Sequence, residues 1–95
     1  MAEQYYVFIL TDHSHAVLYT GLTSDLKRRV LEHRTGTGGE FTRRYKVGQL
    51  VYFEVVLDYV AAIEREKQLR DTPRPKKIEI IELANPDWKD LYGEL

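Results

Sequence analysis

The stretch from Tyr19 to His33, Tyr-Thr-Gly-Leu-Thr-Ser-Asp-Leu-Lys-Arg-Arg-Val-Leu-Glu-His, leaves the chain few ways to fold. It reads as the end of a strand, a turn at Gly21 and a helix that begins near Ser24. Thr23 or Ser24 can accept a backbone N–H as N-cap, and Asp25 sets negative charge against the positive end of the helix dipole. Within the helix Leu26, Arg29, Val30 and His33 fall at i, i+3, i+4 and i+7, which is one face. An arginine and a histidine therefore lie on the stripe that turns toward the domain, aimed back at the strand carrying Tyr19, while Arg28 and Glu32 point elsewhere. Periodicity alone favours the plainer reading of a solvated basic helix with a border arginine.

The flanking segments supply a sheet for this helix. Residues 5 to 11, Tyr-Tyr-Val-Phe-Ile-Leu-Thr, are aromatic and β-branched throughout, which predicts a strand buried on both faces. The polar run Asp12-His13-Ser14-His15 turns the chain, and Ala16 to Thr20 returns it as the second arm of an antiparallel hairpin. Tyr19 then lies near the end of that arm. His13 and His15, with no further ligand in the pattern, read as solvated turn residues rather than a metal site. Gln49 to Asp58, rich in Val, Tyr and Phe, predicts a third strand.

Asp58 is placed to cap a helix running to about Asp71, in which Tyr59, Ala62, Ile63, Glu66 and Leu69 share one side and Glu64 takes the other. A carboxylate among apolar neighbours must pair with a cation or hold a metal ion, because burying it alone is costly. Pro73 and Pro75 separate this helix from a last one, near Lys76 to Leu83, that presents Ile78, Ile81 and Leu83 to the body. Trp88, Leu91 and Tyr92 then dock the tail.

Charge and composition narrow the function. Ninety-five residues make one small domain, and with 43% hydrophobic and 31% charged residues the composition is that of an ordinary soluble globule. No apolar run is long enough to span a bilayer, so no membrane partner and a cytoplasmic location are expected. The absence of cysteine excludes disulfides, thiolate chemistry and cysteine zinc sites. A net charge of −1 argues against indiscriminate coating of nucleic acid, yet residues 27 to 46 hold seven bases against two acids and residues 64 to 77 hold six against three. If these segments meet in space, Lys27, Arg28, Arg43, Arg44 and Lys46 belong to a patch for a polyanion; if not, they are separate solvated faces. The loop Thr35-Gly36-Thr37-Gly38-Gly39 lacks the Gly-Lys-Ser/Thr ending of a nucleotide-binding loop. It suits a mobile segment that settles onto a phosphate backbone, or a plain connector.

Five short runs, taken in order, resemble the GIY-YIG nuclease superfamily, and within it the short stand-alone group. They are Tyr6-Val7-Phe8-Ile9-Leu10, Leu18-Tyr19-Thr20-Gly21, Asp25 through His33, Arg65 through Leu69, and Asn85 through Leu91. The resemblance implies an α+β fold, a small three-stranded antiparallel sheet flanked by helices, forming one domain over residues 1 to 95. It also implies a metal-dependent DNA endonuclease in which Tyr19 is the tyrosine of the second motif, Arg29 the catalytic arginine and Glu66 the glutamate that holds Mg²⁺ or Mn²⁺. So small a surface leaves little room for base readout, so the DNA expected is branched, nicked or single-stranded. The sequence departs from the family pattern at Phe8, which stands eleven residues before Tyr19 where the first motif has a tyrosine. Tyr6, two residues earlier on the same strand face, is the nearest hydroxyl; His33 matches a frequent histidine, and Asn85 is the candidate for an asparagine seen in some relatives. The alternative implied by Phe8 is a catalytically impaired module of the same fold that only holds nucleic acid.

Overall fold

Four consecutive side chains, Val7, Phe8, Ile9 and Leu10, are all buried, as befits a strand with a neighbour on each edge and helices over each face. The structure, a computed structural model, describes residues 3 to 95. The order of elements is β1 (Tyr5–Thr11), β2 (Leu18–Thr23), α1 (Leu26–Arg34), α2 (Glu40–Tyr45), β3 (Gln49–Val56), α3 (Tyr59–Asp71), α4 (Arg74–Ala84) and a closing 3-10 turn (Leu91–Glu94). The three strands form one antiparallel sheet in the order β2-β1-β3. The α+β class and the three-stranded sheet expected from the sequence are therefore present.

Because side chains alternate along a strand, the central strand feeds two cores. Phe8 and Leu10 pack with Leu26, Val30, Val47 and Leu50 beneath α1, with Tyr6, Tyr19, Phe53, Leu91 and Tyr92 at the margin. Val7 and Ile9 pack with Val51, Leu69 and Ile81 beneath α3 and α4, with Leu18, Leu22, Ile80 and Trp88 at the margin. The tail thus docks as expected, Trp88 on one core and Leu91 and Tyr92 on the other.

Local chemistry accounts for most boundaries. Asp58 caps α3, accepting from the Ala61 amide at 2.9 Å. At α1 the cap is Asp25, not Thr23 or Ser24: its carboxylate accepts from the Arg28 amide at 3.2 Å, while Thr23 Oγ1 accepts from the Asp25 amide at 3.1 Å. The helix consequently starts at Leu26.

Gly21 is not a turn. It lies inside β2 opposite Phe8, and a Cβ there would come within 2.4 Å of Phe8 Cζ, so the glycine makes room for a ring laid across its backbone. Tyr19 is accordingly the second residue of β2 rather than a residue near its end.

Other differences from expectation are a third strand that stops at Val56, a last helix that begins at Arg74, and the extra helix α2. Leu83 faces solvent with 91% exposure, its place on the body being taken by Ile80 beside Ile81. Tyr59 and Ile63 are also exposed, leaving Ala62, Glu66 and Leu69 on the inward side of α3. Among the described residues no helix is long and apolar enough to cross a membrane.

Candidate active site at the edge of the sheet

The face beneath α1 is not uniform hydrocarbon. His33, 3% exposed, sits among Phe8 and Tyr19, with ring centroids 6.3 and 5.1 Å away. Its Nδ1 lies 2.7 Å from the Thr42 hydroxyl, and its Nε2 is buried with no partner among the described residues. Burial, aided by the nearby positive charge of Arg29, pushes the imidazole down to about 4, although Glu32 pulls the other way. His33 is therefore neutral at physiological pH. The imidazole thus ties α1 to α2 across the glycine-rich loop.

One turn earlier, Arg29 is held in two directions: Nη1 donates to Glu32 at 3.2 Å and Nη2 to the Gly38 carbonyl at 2.9 Å. The same Gly38 lies so close to His33 that a Cβ would fall 2.5 Å from its Nδ1. Thr37 donates its amide to the Glu32 carbonyl at 2.9 Å. The glycine-rich loop is thus bonded to α1 and aims Arg29, a role its composition does not announce. Tyr19 completes the group, its ring 6.5 Å from Phe8 and 6.1 Å from Phe41 of α2.

Glu66 lies on the inward side of α3, the helix on the opposite face, which packs against β2 and β1. One of its oxygens accepts from Arg70 Nη1 at 3.1 Å; the other, Oε2, is buried and has no hydrogen-bond partner among the described residues. The Thr20 hydroxyl, on the α3 side of β2, is likewise buried and unpartnered. An open cleft of about 280 Å³ at this edge is lined by Leu18, Tyr19, Thr20, Phe41, Arg70 and Lys77. Tyr19 and Arg29 are therefore grouped around His33 on one face of the sheet, whereas Glu66 belongs to the other face, where it pairs with Arg70, and among the described residues no one cleft is lined by all three. Among the described residues no hydrogen bond joins Tyr19, Arg29 and Glu66 to one another.

No group of three or more His, Asp and Glu side chains suited to a metal ion occurs among the described residues, so a cation here would rest on one carboxylate and otherwise on water and substrate oxygens. The free Oε2 of Glu66 fits that demand, since magnesium commonly binds through one or two carboxylates and keeps several waters. His13 and His15 belong to the fold instead. His13 Nδ1 lies 3.0 Å from Gln49 Nε2, and the His15 ring stacks on Trp88 at 4.9 Å.

The remaining sequence candidates fall in different places. The Tyr6 hydroxyl donates to Gln4 at 3.0 Å, and Tyr6 pairs with Thr23 at the other end of β2 from Tyr19, so its hydroxyl is directed away from this site. Phe8 is a core residue with 1% exposure. Asn85 caps α4, and its amide is committed to the Val51 and Lys89 carbonyls at 3.0 and 2.9 Å and to the Lys89 amide at 3.0 Å. That is a clamp between tail and sheet, not a ligand set.

The bases divide. Lys27 and Arg28 are exposed on α1, where Arg28 shares Glu32 at 3.7 Å. Arg43, Arg44 and Lys46 are exposed on and just after α2, and none forms an ion pair among the described residues. Arg43 and Lys46 line a wider cleft of about 530 Å³ with His13, Arg34 and Gln49. At the Tyr19 cleft the second basic segment contributes Arg70 and Lys77, and the first contributes Phe41 and none of its bases.

A three-stranded antiparallel sheet flanked by helices, with a strand tyrosine beside a helix that carries an arginine and a histidine, defines a small nuclease-like α+β domain. The chain belongs to the GIY-YIG family: the GIY-YIG catalytic domain matches residues 4–79. It is 40% identical to a UPF0213 protein of Haloquadratum walsbyi over 86% of this chain and 91% of that one. It is 34% identical to a UPF0213 protein of Oceanobacillus iheyensis over 92% of this chain and all of that one. The solution NMR structure of a UPF0213 protein from Bacillus halodurans matches with a TM-score of 0.57 and 28% identity, covering 92% of each chain.

Proposed function

We propose that this protein is a metal-dependent DNA endonuclease that hydrolyses phosphodiester bonds through Tyr19, Arg29 and Glu66. The observation that carries the proposal is the buried, unpartnered Oε2 of Glu66. A buried carboxylate oxygen left without a donor costs stability, and a hard cation held by Glu66 would offset that cost. Mg²⁺ or Mn²⁺, when bound, neutralises charge on the phosphate and favours departure of the leaving oxygen. Tyr19 hydrogen-bonds and orients the attacking water, whose proton passes to solvent, and Arg29 donates to phosphate oxygens as negative charge builds on them. Lys27, Arg28, Arg43, Arg44 and Lys46 hold the flanking backbone.

One observation favours a second reading, a nucleic-acid-binding module with impaired turnover. Phe8 brings no hydroxyl to the strand beside Tyr19, and its ring is packed over Gly21 in the core. The two are separated by incubating supercoiled plasmid with the protein and Mg²⁺ or Mn²⁺, beside Glu66→Ala and Phe8→Tyr variants. Nicking by the natural chain that disappears in Glu66→Ala supports the enzyme. Binding without nicking, with activity gained in Phe8→Tyr, supports the module.

A further inference from the structure

Helix α2 inverts the usual rule of burial. Its threonine, Thr42, is 1% exposed, while its aromatic residues Phe41 and Tyr45 are 49% and 46% exposed. The two rings pack on each other at 4.9 Å, and Phe41 lies near-parallel to Tyr19 at 6.1 Å and 27°. An open aromatic ladder therefore runs from the strand tyrosine out to solvent. Cations without an acidic partner among the described residues border it: Arg43 and Arg44 lie between the two rings in sequence, with the Arg44 guanidinium 5.8 Å over Tyr45. Arg70, paired with Glu66 at 3.1 Å, and Lys77, which donates to the Arg70 carbonyl at 3.2 Å, line the same cleft as Phe41.

We propose that Phe41 and Tyr45 form a stacking platform for unpaired bases, so that the protein takes single-stranded nucleic acid and seats its backbone beside Tyr19. This rests on the nuclease reading only for what happens to the strand once it is seated. The occupant follows from the pairing of flat apolar faces with positive charge. A peptide that fills an apolar groove gains nothing from the cations Arg43 and Arg44, unpaired among the described residues, unless it is acidic, whereas a nucleic acid strand carries both matching surfaces along its length. Base faces inside a duplex are already stacked on each other, so exposed rings of this kind reach bases only where pairing is open. The cations supply the sequence-independent, salt-sensitive share of the affinity.

The test uses the full chain in EDTA, with no cleavage required. Fluorescence anisotropy is read on labelled single-stranded DNA, single-stranded RNA of the same sequence, and the matching DNA duplex. The natural chain is expected to prefer single strands. Phe41→Ala with Tyr45→Ala is expected to lose about 10-fold or more in single-strand affinity, since each stacked base contributes substantially, with duplex binding unchanged. Phe41→Trp retains the affinity and shows fluorescence quenching on binding beyond that of Trp88, which keeps the test valid if the double variant folds poorly. Equal affinity for duplex and single strand, an unaltered single-strand affinity in the double variant, or binding only to an acidic peptide control overturns the platform. Selective single-strand binding that depends on Phe41, in a chain that nicks nothing, keeps the platform and removes the nuclease. Plasmid nicking that ignores Phe41→Ala does the reverse. The RNA and DNA arms show whether the 2′-hydroxyl matters.

Discussion

The two faces of the sheet are built from the same central strand and differ in what they tolerate. Beneath α3 and α4, Val7, Ile9, Val51, Leu69 and Ile81 form an interior of hydrocarbon, with a satisfied network of Arg65 and Glu54, 2.6 Å apart, at its rim and the unpartnered oxygens of Thr20 and Glu66 confined to its β2 side. Beneath α1 the hydrocarbon of Phe8, Leu10, Val30 and Leu50 is interrupted by a neutral histidine with an idle nitrogen and bordered by a tethered arginine. Unsatisfied polar atoms cost stability. Here they collect around one edge strand, at His33, Thr20 and Glu66. The contrast teaches that the α3/α4 interior holds the fold, while the α1 face and the β2 edge carry the buried polar atoms left without a partner among the described residues.

If that division is right, the largest effects on turnover and on stability fall on different residues. Arg29→Ala is expected to slow plasmid nicking by about 100-fold or more, the scale of removing a donor from a developing anion, and Glu66→Ala at least as far. Both variants should keep their thermal unfolding midpoint within a few degrees. A loss of fold in Glu66→Ala, read by circular dichroism, would put the carboxylate among the structural groups instead.

On the other face, Leu69→Ala should destabilise by about 2 to 5 kcal/mol in urea unfolding, because the site is closed hydrocarbon. Gly21→Ala tests the junction between the faces. With Phe8 Cζ 2.4 Å from the added Cβ, it should cost about 1 to 3 kcal/mol, and Phe8→Leu in the same chain should recover part of that cost.

The histidine gives a smaller effect that depends on pH. Its folded-state ionisation near 4 lies below its ordinary 6.5, so between those values the unfolded chain binds more protons than the folded one. Stability is then full above about pH 6.5 and falls as pH drops toward 4, by on the order of 2 to 3 kcal/mol. Denaturant midpoints should show this slope, and His33→Asn should flatten it. The smallest change is expected at the partly exposed Arg34 and Asp90 pair: Asp90→Asn should shift stability by about 1 kcal/mol, slightly more if the Leu50 amide loses its acceptor.

Much of this arrangement was legible beforehand because it rests on local rules. A continuous apolar run implied the central strand, a period of 3.6 turned Leu26, Arg29, Val30 and His33 inward, and Asp58 marked the start of α3. What escaped depends on contacts between distant segments. Gly21 looked like a turn because glycine often is one; only the Phe8 ring across the hairpin explains it. Helix α2 has six residues, no side-chain cap and its aromatics outward, so its amphipathic signal was absent. The interleaving of Phe41 and Tyr45 with Arg43 and Arg44 was the available clue to that surface. Asn85 looked like a site residue by resemblance, yet its amide is used up between Val51 and Lys89.

The claim on which the account turns is that side chains approaching β2 from opposite faces of the sheet act on one phosphate. It is tested most directly by comparing plasmid-nicking rates of Arg29→Ala, Glu66→Ala and the double variant under the same Mn²⁺ concentration. Groups that work as a unit are strongly non-additive, so the double variant is expected to be no slower than the slower single one. Losses that multiply, or nicking that survives in the Glu66→Ala chain, would contradict a shared site.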